Sequence, residues 1–151
     1  NEPELLAEVI ADGVHLAPQT VRLAIRAKGP DGIALITDAF SAAGCPDGTY
    51  TLGSHAVFVK GDLCTLADGT LAGSMLTMNR AVANAIAFSG CALADAVKMA
   101  TLIPAAVAGC AGRKGSIERG KDADLALLRP DFSVVATIVE GEVVYEDARN
   151  T

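Results

Sequence analysis

The chain is poor in aromatic residues and in positive charge. It has no tryptophan, two tyrosines and four phenylalanines in 151 residues, and its formal net charge at pH 7 is −6. A nucleic-acid surface needs clustered lysine and arginine, and single-strand binding also uses aromatic side chains that stack on bases. These shortages argue against a nucleic-acid-binding protein.

Long hydrophobic runs are also missing. No apolar run approaches the roughly 20 residues that cross a bilayer, and no basic segment precedes a signal-like apolar one. We therefore expect a cytoplasmic protein without membrane association. Hydrophobic residues still make up 51 % of the sequence, with a mean hydropathy of +0.38, which is enough for the packed core of one ordinary domain.

Closely spaced metal ligands are the third absence. The four cysteines, Cys45, Cys64, Cys91 and Cys110, stand too far apart for a Cys-x-x-Cys pair, and the two histidines, His15 and His55, form neither an HxH nor an HExxH pair. The thiols are more typical of buried or loop cysteines. The chain by itself predicts no metal site.

A short apolar run at Ile33–Ile36 organises the rest of the chain. It follows the turn formers of residues 29–32, which is typical of a strand buried on both faces of a parallel sheet. Asp38 comes directly after it. Catalytic side chains of α/β folds stand where strands end, so Asp38 is a candidate catalytic carboxylate, although a residue that starts a turn or caps a helix fits the position equally well.

A second strand is predicted at residues 5–11 and also ends in polar residues, Asp12-Gly13-Val14-His15. A helix opening at Pro18 and stopping at Gly29 would join the two strands into a βαβ unit. His15 is then a candidate for the same site, with a purely structural histidine as the alternative.

Turn formers fill the loop at residues 40–48, and β-forming residues at about 49–66 predict an antiparallel meander. The segment Leu71-Ala72-Gly73-Ser74 follows. We expect Ser74 to be the N-cap of a helix that presents Met75, Met78, Val82 and Ala85 on one face. Backbone N–H groups at such a helix start can bind a ligand oxygen, and a plain helix cap is the alternative.

The remainder divides into helices and a β-rich end. Residues 92–101 predict a helix with Leu93, Ala96, Val97 and Ala100 facing inward, and Pro104 predicts the start of a brief third helix. Residues 123–128 predict a strand. Residues 134–139 and 143–146 predict a hairpin across Glu140-Gly141-Glu142.

Several of these motifs occur together in one known family. In chain order they are Asp12-Gly13-Val14-His15, Leu35-Ile36-Thr37-Asp38-Ala39, Asp68-Gly69-Thr70-Leu71-Ala72-Gly73-Ser74, Lys114-Gly115-Ser116-Ile117 and Gly120-Lys121-Asp122-Ala123-Asp124-Leu125. Together they resemble the C-terminal part of the N-acetylglucosamine-6-phosphate deacetylases of the amidohydrolase superfamily. The last motif is shared widely in that superfamily. The Thr-Asp-Ala strand end followed by Leu-Ala-Gly-Ser is more specific to these deacetylases.

The resemblance implies an α/β fold: the C-terminal part of a (β/α)₈ barrel plus the C-terminal strands of a small β-sandwich. Residues 1–112 would form the barrel strands and helices with the inserted meander, and residues 113–151 the sandwich strands. Since the chain starts at Asn1 directly before core-like residues, we expect it to be a piece of a longer enzyme, the parent. It would associate with the missing N-terminal part or form a homo-oligomer such as a dimer.

The resemblance also implies a reaction and a site. The parent would hydrolyse N-acetylglucosamine 6-phosphate to glucosamine 6-phosphate and acetate, with Asp38 as the general acid and base. His15 would contact the phosphorylated amino sugar, and Leu71, Ala72 and Gly73 would bind it through their backbone. A divalent metal, zinc or iron, would serve the parent, and its Glu and His ligands would lie outside this chain.

Two other interpretations remain open. Imidazolonepropionase-like and dihydroorotase-like amidohydrolases share the C-terminal motif and a barrel-end Asp. The chain could also be a non-catalytic structural fragment. The isolated chain is expected to be inactive, because it lacks the metal ligands.

Overall fold

A parallel pair of strands lies at the centre of the structure, a computed structural model that describes residues 5–148. Strand β1 (Ala7–Ile10) pairs with β2 (Ile33–Ile36) in a register that runs from Ala7 opposite Ile33 to Ile10 opposite Ile36. Ile33 and Leu35 are at most 1 % exposed, as expected for a strand covered on both faces. Because the strands are parallel and in register, their carboxyl ends lie at the same edge.

Helix α1 (Pro18–Lys28) connects the two strands, as the sequence predicts. Pro18 stands at its start, where a missing N–H costs nothing, and Gly29 ends it with a positive φ of 71°, which glycine adopts readily. Its buried residues are Val21 and Ile25, which lie four positions apart on one face and belong to the same core as Ile33 and Leu35.

Three further helices complete this core: α2 (Met78–Ser89), α3 (Leu93–Ala100) and α4 (Leu102–Val107). The prediction that Leu93 and Val97 face inward is wrong, since they are 58 % and 41 % exposed. Ala96 is buried and Ala100 packs against the core, as predicted, but the other buried residue is Met99, because the contact of this short helix with its neighbours runs through Ala96 and Met99. Helix α4 begins two residues before Pro104, which occupies the first turn, where its lack of an N–H is tolerated.

An antiparallel meander occupies the stretch for which it was predicted. Its strands are β3 (Gly48–Leu52), β4 (His55–Lys60) and β5 (Leu63–Thr65), in that spatial order. Its apolar side, formed by Val57, Val59 and Cys64, packs on Ala72 and makes a second, smaller core.

The last sheet contains β6 (Leu125–Leu128), β7 (Val134–Val139) and β8 (Glu142–Glu146), in the order β6-β7-β8. Glu140 and Gly141 join β7 to β8 with positive φ at both positions, 52° and 88°, as in a two-residue type I′ turn. The predicted hairpin is thus present with a shorter turn. All five residues of β8 are exposed.

The two parts of the predicted division at residue 112 are in contact. Phe132, in the β6–β7 turn, packs against the main core, and its carbonyl accepts a hydrogen bond from the Asn79 side chain of α2 at 2.9 Å. The division itself stays a prediction, and its outer ends, residues 1–4 and 149–151, lie outside the described residues. No helix within residues 5–148 has the length and apolarity to cross a bilayer.

Candidate active site

Asp38 lies two residues beyond β2, at the edge where the parallel strands end. Its backbone is in the left-handed region at φ 51°, which is uncommon for a residue with a side chain. The residue is exposed, and its carboxylate forms no hydrogen bond or ion pair with any described residue. The strand end therefore presents an unpaired carboxylate in an unusual, locally fixed backbone conformation.

The backbone around Asp38 is fixed by the segment formed by residues 71–76. The Ser74 N–H donates to the Asp38 carbonyl at 2.9 Å, and Ala39 forms a parallel bridge with Ser74. Gly73 has φ 79°, and a Cβ at that position would stand 3.1 Å from the Asp38 carbonyl oxygen. Only glycine lets this segment approach so closely without displacing Asp38.

The same segment is bound on its other side to the meander. Leu71 bridges Thr65 of β5, and the Ala72 N–H donates to the Cys64 carbonyl at 3.0 Å. Ala72 is 7 % exposed and Leu71 is 38 % exposed. The Ala72 N–H is thus already used within the protein, so a substrate contact at Ala72 would have to use another atom.

Ser74 is not the helix N-cap that the sequence predicts. Helix α2 begins at Met78, and its N-cap, Thr77, makes no side-chain capping hydrogen bond. The Ser74 hydroxyl instead donates to the Thr37 carbonyl and accepts the Leu76 N–H at 3.1 Å. The bridge to Ala39 holds Ser74 extended, and this long-range pairing overrides its local capping preference.

His15 lies beyond the end of β1, at the same edge of the sheet, and is paired with Asp12. Its Nδ1 is 2.6 Å from Asp12 Oδ2, while Asp12 Oδ1 accepts the N–H groups of Val14 and His15, each at 2.9 Å. Burial alone would raise the pKa of Asp12, but these hydrogen bonds outweigh it and hold that pKa below its ordinary value. Asp12 is therefore ionised at neutral pH.

The structure brings Asp38 and Gly73 into contact and places His15 at the same sheet edge. No hydrogen bond or ion pair joins His15 to Asp38, both of which are described. Reasoning from the sequence missed the bonds made by Asp12 and Ser74. An Asp three residues before a His, with Gly between them, is a signal for the Asp12 turn, whereas the Ser74 contact joins residues 37 apart and leaves no local signal.

A divalent metal would need several converging ligands. Within residues 5–148 no group of three or more His, Cys, Asp or Glu side chains could hold an ion. His15 Nδ1 is hydrogen-bonded to Asp12. Among the described residues, no other carboxylate and no imidazole forms a hydrogen bond or ion pair with Asp38. The described residues therefore do not fit a metal by themselves.

Comparison with known proteins gives a consistent group of relatives. The model of the amidohydrolase family matches residues 1–144. The N-acetylglucosamine-6-phosphate deacetylase of Bacillus subtilis (strain 168) is 40 % identical over 140 residues, covering 93 % of this chain and 35 % of the relative. The enzyme of that name from Bos taurus is 40 % identical over 144 residues, with the same two coverages.

Solved structures agree with these relatives. The crystal structure of N-acetylglucosamine-6-phosphate deacetylase from Thermotoga maritima superposes with a TM-score of 0.87 at 44 % identity, covering 94 % of this chain and 39 % of that one. A mutant of the Mycobacterium smegmatis enzyme in complex with N-acetyl-D-glucosamine-6-phosphate gives 0.89 at 34 % identity, covering 95 % and 38 %. The chain thus spans little more than a third of the length of these relatives.

Proposed function

Because this chain belongs to the amidohydrolase family and has part of its fold, we propose that it is the C-terminal part of an N-acetylglucosamine-6-phosphate deacetylase. The parent would convert N-acetylglucosamine 6-phosphate and water to glucosamine 6-phosphate and acetate. The observation that carries the proposal is the unpaired Asp38 carboxylate at the end of β2, held by Ser74 and Gly73. A phosphorylated substrate also suits a cytoplasmic enzyme, since such an anion does not cross a bilayer unaided.

Asp38 would move the proton in this reaction. As the water oxygen bonds to the acetyl carbon, the carboxylate accepts a proton from that water. It then gives the proton to the amide nitrogen as the C–N bond breaks, so that the amine leaves neutral together with acetic acid, which ionises to acetate in solution. Such general acid–base catalysis contributes about 10²–10⁴-fold to a rate. An unpaired carboxylate is suited to the task because no cation or donor among the described residues competes for its oxygens.

Substrate binding would use the two neighbouring features. His15 Nε2 is the ring nitrogen that Asp12 leaves free, and we assign it to the sugar phosphate. Leu71 and Gly73 would contact the sugar through their backbone, and the missing Cβ of Gly73 lets this backbone lie against the Asp38 carbonyl. Ala72 would contribute its carbonyl or its methyl group, because its N–H is bonded to Cys64.

We also propose that the parent carries a divalent metal, zinc or iron, whose ligands lie outside this chain. Its role there would be to polarise the acetyl carbonyl and the water. The described residues of this chain form no ligand set, so no residue of the chain is assigned to the metal.

The test uses the full-length enzyme that contains this chain. We expect acetate release from N-acetylglucosamine 6-phosphate and much less from unphosphorylated N-acetylglucosamine. In Asp38→Asn the side chain keeps its shape but cannot carry the proton, so kcat should fall by about 10²-fold or more. The matched control is Asp31→Asn, because exposed Asp31 lies just before β2, at the opposite end of the strand from Asp38.

Near-normal kcat in Asp38→Asn would disprove the role of Asp38. Absence of acetate release from the unmodified, metal-loaded enzyme would disprove the reaction itself. An imidazolonepropionase-like or dihydroorotase-like enzyme would give that second result.

A further inference from the structure

The turn after β1 is built around one carboxylate. Both oxygens of Asp12 are used: Oδ1 accepts two backbone N–H groups, from Val14 and His15, and Oδ2 contacts His15 Nδ1 at 2.6 Å. The Asp12 side chain is only 5 % exposed, whereas the His15 side chain is 20 % exposed. The imidazole is therefore attached through Nδ1 to a buried group, while its side chain as a whole stays partly open to solvent.

The start of this turn is fixed to the core as well. Ala11 is fully buried, and its carbonyl accepts a hydrogen bond from the Asn84 side chain of α2 at 2.8 Å. Gly13 supplies the φ of 80° that the turn requires. Asp12 itself lines a small cavity of about 40 Å³, together with Asn84, Arg80 of α2 and Asp62 of the β4–β5 turn. A helix of the main core thus fixes the backbone directly before Asp12.

The chemistry of this contact fixes the ring. An ionised carboxylate only accepts hydrogen bonds, so the proton between Asp12 and His15 is carried by Nδ1. Nε2 is then the nitrogen available to a ligand, and it can donate to a phosphate oxygen only when the ring carries both protons. The lowered pKa of Asp12 supports an ionised carboxylate at neutral pH.

We propose that Asp12 is a positioning residue for substrate binding: it fixes the tautomer and orientation of His15, so that Nε2 meets the phosphorylated sugar while Nδ1 stays bonded to the carboxylate. This inference rests on the proposed function for the identity of the ligand. The state of the ring can be measured without any substrate.

Asp12→Asn in the full-length enzyme separates the two effects of the carboxylate. An asparagine Oδ1 still accepts the N–H groups of Val14 and His15, so the turn is kept. Its NH₂ group, however, faces His15 Nδ1 and can only donate, so Nδ1 becomes the acceptor and Nε2 carries the single proton. The ring is therefore expected to change from the Nδ1–H form to the neutral Nε2–H form.

The first readout is ¹⁵N NMR of histidine-labelled enzyme at neutral pH, with the His15 signals identified by their loss in His15→Ala. Unmodified enzyme should show a protonated Nδ1, and Asp12→Asn should show the opposite tautomer. The second readout is kinetic. With the phosphate bound, a ring that donates to both Asp12 and the phosphate carries both protons and is charged, whereas the Nε2–H of Asp12→Asn is a neutral donor. This weaker hydrogen bond should raise KM for N-acetylglucosamine 6-phosphate by about 10-fold or more, with kcat changed much less.

Asp131→Asn is the matched control. Asp131 in the β6–β7 turn accepts the N–H of Ser133 at 2.9 Å, two residues on, in the same way that Asp12 accepts that of Val14. Its replacement should leave both the His15 signals and KM unchanged.

The inference would be overturned by an Nε2–H tautomer in the unmodified enzyme or by an unchanged tautomer in Asp12→Asn. It would also be overturned if the tautomer changes in Asp12→Asn but KM does not. If Asp12→Asn does not fold, the tautomer of the unmodified enzyme decides. Absence of acetate release from the unmodified enzyme would instead reject the proposed function, while the NMR result would still test the Asp12–His15 geometry.

Discussion

At the scale of single residues, two left-handed backbones meet at the site. Asp38 at φ 51° carries the carboxylate, and Gly73 at φ 79° lets the adjacent segment reach the Asp38 carbonyl. A left-handed backbone costs a residue with a Cβ roughly 1–2 kcal/mol, so Asp38 keeps this conformation only because its surroundings hold it. The Ser74 N–H and the Ala39–Ser74 bridge are the contacts that do so.

Gly73→Ala should therefore lower both stability and activity. The new Cβ would need a left-handed backbone and would stand 3.1 Å from the Asp38 carbonyl oxygen, so Asp38 must shift. We expect a loss of roughly 1–2 kcal/mol in unfolding free energy and a clear fall in kcat of the full-length enzyme. Denaturant unfolding and acetate release measure the two effects.

The control for that variant is Gly53→Ala. Gly53 also has a positive φ, 61°, but nothing lies within 4 Å of its added Cβ. It should lose a similar amount of stability and keep its kcat. Equal kcat in the two variants would contradict the view that Gly73 serves the position of Asp38.

Sequence reasoning at this scale identified positions better than it identified contacts. An apolar run followed by a polar residue is sufficient to place Asp38 at a strand end. It does not give the backbone angle of Asp38, because that angle depends on Ser74, far along the chain. The motif at residues 12–15 contains Asp12, but the direction of its two oxygens is set only in the folded turn.

At the scale of secondary-structure elements, residues 71–76 join two otherwise separate sheets. On one side this segment bonds to β5 through Leu71 and Ala72, and on the other to the end of β2 through Ser74. The meander thereby supports the sheet edge that carries Asp38 without contributing a candidate catalytic residue.

Ser74→Ala tests this junction. Ser74 is 1 % exposed, and removal of its hydroxyl leaves the Thr37 carbonyl and the Leu76 N–H without that partner. Each unsatisfied buried group costs about 1–3 kcal/mol, so the urea midpoint of the full-length enzyme should fall distinctly. Ser54→Ala, at an exposed position of the β3–β4 turn, should change it little. Equal midpoints would show that the hydroxyl does not stabilise the junction.

The sequence predicts whether a segment is a helix or a strand more accurately than it predicts where that element ends or which of its faces is buried. The spacing of apolar residues and the Pro and Gly signals located α1, the meander and the last hairpin. The start of α2 was misplaced because Ser74 has a good local capping side chain that a distant strand end uses instead. The inward face of α3 was only partly predicted because six of its eight residues are apolar, so its apolar stripe is wider than the face that the core buries.

At the scale of the whole molecule, the described residues leave much apolar surface open. The parallel sheet has only two strands, and β8, at the edge of the last sheet, is exposed on both faces at Val143, Val144 and Tyr145. Ile33–Leu35, by contrast, are already buried by the chain's own helices, whereas exposed apolar residues remain along the β6–β8 sheet. Exposed apolar edge strands favour pairing with further chain.

The isolated 151-residue chain should therefore release no acetate and should associate, with itself or with an added N-terminal part of the parent. Light scattering should give the mass of a dimer or a larger assembly. Val143→Lys should weaken this association, because a charge at a strand edge opposes pairing. Val107→Lys, at a similarly exposed apolar position of α4, should not (61 % and 56 % exposed). A monomeric chain that releases acetate would contradict the prediction. It would show that the reaction needs neither more than two parallel strands nor a cluster of metal-ligating side chains among residues 5–148.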